Sequence, residues 1–94
     1  MQKKITIGRA SIHDIIIKKR TISKFHAYFQ IDESNNYYLV DNNSTNGTKV
    51  NDKEISSNNF ILIKDSDKIT FSNISFVFYN PNTLYDILKD YLTE

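Results

Sequence analysis

The sequence predicts an all-β protein that ends in a short helix. Apolar and polar side chains alternate in short runs along most of the 94 residues, and polar turns separate these runs. Short strands at this spacing are typical of a β-sandwich or a β-barrel. Aromatic residues make up 13% of the chain, which is enough for one packed core of modest size.

The predicted strands follow the two-residue period from the N-terminus. The first covers residues 5–7 and ends at Gly8 and Arg9. Further strands are predicted at 13–17, 26–31, 37–41, 60–63, 68–72 and 74–79. The apolar run at 60–63 is expected to be buried. Residues 50–55 are expected to form a hairpin around Asn51 and Asp52, because both residue types favour tight turns.

The C-terminal segment changes to helical spacing after Pro81. Apolar residues three or four positions apart lie on one face of a helix. Those residues here are Leu84, Ile87, Leu88, Tyr91 and Leu92. Asn82 or Thr83 is expected to cap the helix N-terminus. We therefore predict a β domain at residues 1–80 and an amphipathic helix or linker at residues 81–94.

Composition excludes several classes of function. Charged residues make up 24% of the chain and the net charge is +1, so no overall field attracts nucleic acid or a membrane. The chain has no cysteine, which excludes disulfides and thiolate metal sites. Neither a secretory signal peptide nor a membrane-spanning stretch is recognisable, and a cytoplasmic protein is expected.

The sequence contains no pattern typical of an enzyme or a metal site. It lacks a GxxxxGK(S/T) nucleotide-binding loop, a GxSxG nucleophile motif and an evident pair of carboxylates for acid–base chemistry. His13 and His26 do not have metal-ligand spacing, and His13 is expected at the surface near a strand end. Neither catalysis, a metal nor a cofactor is predicted.

The stretch 44–48, Ser-Thr-Asn-Gly-Thr, follows the strand at 37–41 and leads into a return strand that begins at Thr48. Asn-Gly is a strong turn signal, and an ordinary hairpin turn would account for it. The same loop also groups hydroxyls with an amide, which suits hydrogen bonding to an oxyanion or a peptide backbone. The residues leave both interpretations open.

Two further loops contain residues that bind anions well. Arg9 directly follows a strand and a glycine, and Thr21, Ser23 and Lys24 lie in the next polar loop. A guanidinium matches two oxygens of a phosphate, and hydroxyls donate to the third. If a sandwich brings these loops to the end that carries residues 44–48, the set would bind a phosphorylated side chain of an extended peptide.

The order and spacing of these motifs resemble the forkhead-associated (FHA) domain family. The resemblance covers about residues 5–79 and rests on Ile7-Gly8-Arg9, Ser23-Lys24-Phe25-His26-Ala27, Asp41 with Ser44-Thr45-Asn46-Gly47-Thr48, Val50-Asn51, and 63–69 with Phe71. It implies a two-sheet β-sandwich that binds phosphothreonine peptides through loops at one end. A phosphothreonine-containing partner protein and a role in signalling or as an adaptor are therefore expected.

The resemblance implies ligand contacts for five residues. Arg9 would contact the phosphate, Ser23 would donate its hydroxyl to it, and Lys24 would add a second cation. Thr45 would complete the phosphate-binding set by helping to form the pocket around the phosphothreonine methyl group. Asn46 would hold the peptide backbone.

Four more residues have lesser roles by the same resemblance. Thr21 would make a minor contact with the ligand. Gly8, His26 and Gly47 would be architectural, and the histidine would brace the central loop.

The sequence departs from the family in three respects. No catalytic or membrane segment accompanies the domain, although such modules usually belong to larger proteins. The usual first strand is missing or shortened, so the chain would be trimmed there or its edge completed by another strand or subunit. Ser66 and Ser72 stand where the family commonly has glycine, which puts the shape of those two turns in question.

The leading functional prediction is a phosphopeptide-binding module, either within a larger protein or as a small adaptor. The alternative is a structural docking module that binds partners through a sheet face or the C-terminal helix without phosphate. The set of Arg9, Ser23 and Asn46 favours the first, because a purely structural relative would be free to lose it. Nucleic-acid binding through the basic run at 18–20 is a weaker interpretation, since three basic residues at a strand end are usually a solvated edge.

Overall fold

The computed structural model describes residues 3–92, which fold into nine β-strands and one α-helix. These are β1 (Lys3–Gly8), β2 (Ile15–Ile16), β3 (Ala27–Ile31), β4 (Tyr37–Asp41), β5 (Thr48–Val50), β6 (Lys53–Glu54), β7 (Ile61–Ile63), β8 (Lys68–Phe71), β9 (Ile74–Val77) and α1 (Pro81–Leu92). Residues 1–2 and 93–94, at the outer ends of the predicted segments 1–80 and 81–94, lie outside the described residues. The division of the chain at residue 80 stays a prediction.

The strands form two sheets that pack face to face around a shared core. One sheet has the order β2-β1-β3-β4-β7, and the other has the order β6-β5-β8-β9. β1 and β2 are parallel, and the remaining neighbours are antiparallel. The predicted two-sheet β-sandwich with a C-terminal helix is therefore confirmed. Within residues 3–92, no helix is both long and apolar enough to cross a membrane.

The core lies between the sheets and takes side chains from both. Ile7 and Leu39 of the five-stranded sheet are fully buried, and they belong to the same cluster as Ile69 and Phe71 of the four-stranded sheet. Ile22 is also fully buried, although it lies in the loop before β3. Each fully buried side chain of this kind contributes roughly 1.5–3 kcal/mol by leaving water. Ile22 thus anchors the loop that contains three of the predicted ligand residues.

Residues with a left-handed backbone conformation occur in two kinds of turn. β5 and β6 form the hairpin predicted around Asn51 and Asp52, whose φ values of 50° and 69° fit a two-residue type I′ turn. Ser66 and Ser72 also have positive φ, 71° and 60°, with serine in the place of glycine. A left-handed residue with a side chain costs roughly 1–2 kcal/mol, so these two turns keep their shape at some expense in stability.

The strand predicted at 13–17 is too long. It is reduced to the two residues of β2, because Asp14 binds β1 through its side chain: the Thr6 N–H donates to Asp14 Oδ2 at 2.9 Å. His13 therefore lies in a loop. The strand predicted from His26 begins one residue later, at β3, and the last strand ends at Val77 rather than at residue 79.

The run at 60–63 is not the buried strand that its apolar residues predict. Phe60 is 56% exposed and Leu62 is 45% exposed. β7 lies at the edge of its sheet, and an edge strand with one solvated face needs only alternate residues in the core. Apolar composition alone cannot distinguish this position from a central strand.

The stretch 44–48 does not form a hairpin. β4 belongs to the five-stranded sheet and β5 to the four-stranded sheet, so the loop between them crosses from one sheet to the other. Positive φ values occur at Asn43 (54°) and at Gly47 (84°), rather than at two adjacent residues as in a type I′ turn. The hairpin interpretation of this loop is therefore wrong.

α1 begins directly after its N-cap, Asn80. The Oδ1 atom of Asn80 accepts a hydrogen bond from the Thr83 N–H at 2.9 Å, as an N-cap side chain does. Pro81 occupies the first helical position, where the missing N–H is harmless. The helix is confirmed, whereas Asn82 and Thr83, which were expected to cap it, lie inside it.

Candidate functional site

Three loops meet at one end of the sandwich: the β1–β2, β2–β3 and β4–β5 loops. The Arg9 N–H donates to Ser23 O at 3.0 Å, which joins the first loop to the second. The Thr45 N–H donates to Ser23 Oγ at 2.9 Å, and Asn46 Nδ2 donates to Thr21 O at 2.8 Å. These two bonds join the second loop to the third. The structure thus brings together residues that the sequence places in separate loops.

Arg9 is held by its side chain as well as by its backbone. Its Nε–H donates to the carbonyl oxygen of Ile22 at 3.0 Å, and Ile22 is fully buried in the core. The direction of the guanidinium is thereby set, and its terminal N–H donors remain outside this bond. Arg9 is exposed, so a ligand at this end of the sandwich can reach those donors.

Ser23 and Asn46 are oriented by their partners across the loops. The Ser23 oxygen accepts the Thr45 N–H, and its hydroxyl proton remains to be donated. Asn46 uses its amide nitrogen for Thr21 O, so its amide oxygen is the atom that remains as an acceptor. Asn46 is exposed and Ser23 is half-buried. The pair therefore offers one donor and one acceptor to a ligand.

A close approach of two backbones requires the glycine before Arg9. A Cβ atom at Gly8 would lie 2.3 Å from Lys24 O and 2.6 Å from His13 Nε2, which no side chain tolerates. The same Lys24 carbonyl accepts hydrogen bonds from the His13 ring and from the Ala10 N–H. His13, expected as a plain surface residue, therefore joins two of the loops. Lys24 is exposed, and its backbone lies at the same end of the sandwich as Arg9.

His26 connects the core to two of the loops. It is fully buried, and its Nδ1 accepts the Ser23 N–H at 3.1 Å. Nε2 is then the protonated nitrogen, and it donates to Gly47 O at 3.0 Å. The Gly47 oxygen also accepts the Ser72 N–H at 3.0 Å, and the imidazole packs edge-on against Phe71 with centroids 5.5 Å apart. These contacts set the spacing between the loops.

Asp41 organises the β4–β5 loop, a role that the sequence does not predict. Its buried carboxylate accepts hydrogen bonds from the Ser44 N–H and Oγ–H, from Thr48 Oγ1 at 2.6 Å and from Ser57 Oγ at 2.7 Å. Burial raises the pKa of Asp41, but the hydrogen bonds from Ser44, Thr48 and Ser57 outweigh it, and the pKa lies below its ordinary value of 3.8. The sequence signal for this role is an aspartate followed by serine and threonine, a pattern typical of loops in which side chains form hydrogen bonds to the nearby backbone.

The turn between β8 and β9 joins the same end of the sandwich. Thr21 Oγ1 donates to Asn73 Oδ1 at 3.3 Å, and the Ser72 N–H is bonded to Gly47 O as described. This turn therefore borders the three loops on the side of the four-stranded sheet.

Comparison with known protein families matches residues 5–72 to the FHA domain. The chain belongs to the FHA-domain family. One curated relative is the DNA damage response protein kinase DUN1 of Saccharomyces cerevisiae, which is 38% identical over 93 residues, or 90% of this chain and 18% of the kinase. The chain thus spans less than a fifth of that relative's length.

Two solved structures share the fold. The N-terminal FHA domain of Saccharomyces cerevisiae Rad53p, in complex with a phosphothreonine peptide, has a TM-score of 0.77 and 25% identity, over 90% of this chain and 73% of that one. Mycobacterium tuberculosis EmbR, in complex with a low-affinity phosphopeptide, has a TM-score of 0.73 and 30% identity, over 81% of this chain and 19% of that one. The FHA domain is a binding module and not a catalytic unit.

Positive charge gathers at the loop end of this FHA domain. Arg9 and Lys24 are exposed there, and the basic run at 18–20 in the β2–β3 loop is exposed as well. The carboxylate of Asp14 in the β1–β2 loop is bonded to the N–H and hydroxyl of Thr6. Within the described part of the chain, no group of three or more histidines and carboxylates could hold a metal ion. This end of the molecule therefore favours an anionic ligand.

Proposed function

We propose that this FHA domain binds phosphothreonine in an extended segment of a partner protein, through the loops at one end of the sandwich. The observation that supports it most is the meeting of two oriented donors. Arg9 is directed by its bond to Ile22 O, and the Ser23 hydroxyl is directed by its bond from the Thr45 N–H. A charged fork beside a hydroxyl is a set of donors that suits the dianionic phosphate.

Charge decides the strength of this recognition. One hydrogen bond to a charged group contributes about 1.5–3 kcal/mol, so two or three such bonds contribute about 3–9 kcal/mol, which corresponds to dissociation constants from about millimolar to micromolar. Lys24 supplies a further cation, on a flexible side chain that loses more rotamer freedom when it is ordered. Binding should weaken below about pH 6, because the phosphate then loses its second charge.

Thr45, Asn46 and Thr21 would contact the rest of the peptide. Thr45 contributes to the pocket around the phosphothreonine methyl group, and this contact favours phosphothreonine over phosphoserine. The amide oxygen of Asn46 accepts a backbone N–H of the peptide, since its nitrogen is engaged with Thr21 O. Thr21 makes a minor contact from its exposed position.

Gly8, His26 and Gly47 act on the geometry of the site and not on the ligand. Gly8 permits the contact with Lys24 O, and the imidazole of His26 bridges the Ser23 N–H and Gly47 O. Gly47 has a positive φ of 84°, a conformation that glycine adopts without steric cost. We propose that these three residues hold the donors of Arg9 and Ser23 in the positions that phosphate binding requires.

The test is the binding of a degenerate phosphothreonine peptide library by fluorescence anisotropy, with the same peptides unphosphorylated and with phosphoserine. Arg9→Ala should weaken binding at least tenfold, because one charge-assisted bond of about 1.4 kcal/mol or more is lost. Lys64→Ala removes the same charge in the turn between β7 and β8, away from the loops, and should leave the affinity within about twofold.

Binding that needs neither the phosphate nor Arg9 would contradict the proposal. A folded protein that binds none of the phosphopeptides would favour the alternative, a docking module independent of phosphate. The cytoplasmic location and a non-catalytic role for the whole protein stay predictions, as does the identity of the partner.

A further inference from the structure

A continuous apolar surface remains exposed at the C-terminal side of the molecule. It begins on β9, an edge strand paired only with β8 among the described strands, and continues along α1. Seven large apolar side chains on it are between 38% and 74% exposed: Phe76, Val77, Tyr79, Leu84, Ile87, Leu88 and Tyr91. We call these seven residues the apolar surface.

A groove of about 310 Å³ lies within the apolar surface where α1 leaves the sandwich. Phe76, Val77 and Tyr79 line it together with Leu84 in the first turn of α1, and Ile15 and Ile17 beside β1 line it as well. Its floor is formed by side chains of the core cluster, including Phe29. The groove therefore lies between the first turn of α1 and the core of the sandwich.

The helix carries a stripe that continues from this groove. Leu84, Ile87, Leu88 and Tyr91 are spaced three and four residues apart, so they lie on one face of α1. Tyr91 at the far end is 74% exposed. Exposed tyrosines of this kind are frequent anchors at protein interfaces, because a large ring is buried with little loss of conformational entropy.

The size of the apolar surface exceeds what a monomer usually leaves in water. At roughly 200 Å² for a whole large side chain, the exposed fractions of its seven residues amount to about 700 Å². The largest apolar patch of a typical monomeric protein is about 300–600 Å². Two such surfaces together approach about 1,400 Å², which lies within the range of a specific interface of about 1,200–2,000 Å².

We propose that a second copy of this chain covers the apolar surface, with the two α1 helices packed antiparallel about a two-fold axis. An axis between Ile87 and Leu88 places Tyr91 of each copy over Leu84 of the other. Tyr91 of the second copy then lies beside the groove, which Leu84 lines, and inserts its ring there. The interface is isologous, so one surface on one chain supplies both halves.

The charges of α1 are compatible with this arrangement. Asp86 and Lys89 lie on the side of the helix opposite the stripe, and Asp90 lies on its flank, three residues from Ile87, so none of the three would be buried at the centre of the seam. Residues 74–79 of the chain, which include β9, contain no charged side chain. Charged residues are the usual protection of an edge strand against pairing, and this edge lacks them.

The helical part of the proposed interface is remote from the phosphate-binding loops. The β8–β9 turn contacts those loops through Asn73, whereas the turn before β8 contains Asp65 and lies at the other end of that strand. Asp65 accepts hydrogen bonds from the Asn80 N–H at 2.8 Å and from Thr83 Oγ1 at 2.7 Å. α1 thus begins at the end opposite the loops, and a dimer would keep both peptide sites accessible.

Sedimentation equilibrium over a concentration series tests the proposal. The wild-type mass should rise from the monomer value of 11.0 kDa toward twice that value. Tyr91→Ala should raise the dimer dissociation constant about a hundredfold, because two symmetric anchors are lost at once. Val77→Asp, which places a charge in the groove wall, should have an equal or larger effect.

Two controls separate dimerisation from folding and from peptide binding. Lys89→Ala changes the opposite side of α1 and should leave the dissociation constant unchanged. Arg9→Ala should also leave it unchanged, even if the phosphopeptide proposal fails. A wild-type protein that stays monomeric up to roughly 1 mM would overturn the proposal, since an interface of about 1,400 Å² lies in the range of specific, stable complexes. A dimer that tolerates either Tyr91→Ala or Val77→Asp would also overturn it, because the ring and the groove must act together.

Discussion

Replacement of Asp41 by asparagine should destabilise the protein by about 2–4 kcal/mol. The change keeps the size of the side chain but removes its charge and replaces one acceptor oxygen by an NH2 donor. The carboxylate accepts hydrogen bonds from Ser44, Thr48 and Ser57 in a buried position. Every one of those donors lies in or beside the loop that carries the predicted peptide contacts.

The magnitude follows from the donors that would lose an acceptor. In one orientation of the amide its nitrogen faces the Ser44 N–H, which cannot turn away. In the other it faces the hydroxyls of Ser44 and Thr48, whose protons then lack an acceptor. An unsatisfied buried donor costs about 1–3 kcal/mol, and bonds to a neutral acceptor are about 1 kcal/mol weaker than bonds to a charged one. The cost of one unsatisfied donor and the weakening of the remaining bonds together give about 2–4 kcal/mol.

Urea unfolding at pH 7 measures this difference, and its pH dependence gives a second test. The pKa of Asp41 is lowered by folding, so its contribution is present above the unfolded value of about 3.9 and is lost as the pH falls through the lower folded value. The gap between the wild type and Asp41→Asn should therefore narrow as the pH falls below about 4.

Asp52→Asn is the matched control, because it makes the same chemical change at a side chain that is 77% exposed. Its ion pair with Lys68 lies at the surface, where such pairs contribute about 0–1 kcal/mol. If Asp41→Asn proved no more destabilising than this control, the role of Asp41 as the centre of the loop would be refuted.

Three further substitutions test the backbone. Gly8→Ala should lower the unfolding free energy by about 2–3 kcal/mol or more, because its Cβ would lie 2.3 Å from Lys24 O, and an unchanged melting temperature would contradict that contact. Ser72→Gly should raise the unfolding free energy in urea by up to about 1 kcal/mol, since φ is 60° there; a loss of stability would show that the turn is not strained. Asn80→Ala should destabilise α1 by about 1 kcal/mol and speed its amide exchange, with β-strand exchange as the internal control.

Much of the fold could be predicted because its signals are local. Alternating side chains indicate strands wherever one face is buried, and the Asn51-Asp52 pair indicates a type I′ turn whatever surrounds it. The grouping of Arg9, Ser23 and Asn46 was also predicted, although from the order of motifs and the family resemblance. Their roles toward a ligand stay predictions.

Other features depend on contacts between distant parts of the chain. Asn-Gly at 46–47 indicates a change of direction, but it does not indicate that β5 joins the opposite sheet. The burial of β7 was predicted wrongly because apolar residues occur on edge strands as well as in the core. The contact of His13 also depends on distant parts of the chain, because its partner, Lys24 O, is brought near by the pairing of β1 with β3.

The physical reason for this division is the range of the forces involved. Backbone preference, side-chain period and turn chemistry act over a few residues, so the strands, the hairpin and the C-terminal helix are legible in the sequence. The burial of Asp41 and the hydrogen bonds that keep its pKa low arise only when two sheets enclose it and bring Ser57 to it across the sandwich. Likewise, the apolar stripe of α1 can be recognised in the sequence, but its exposure depends on where the sandwich ends.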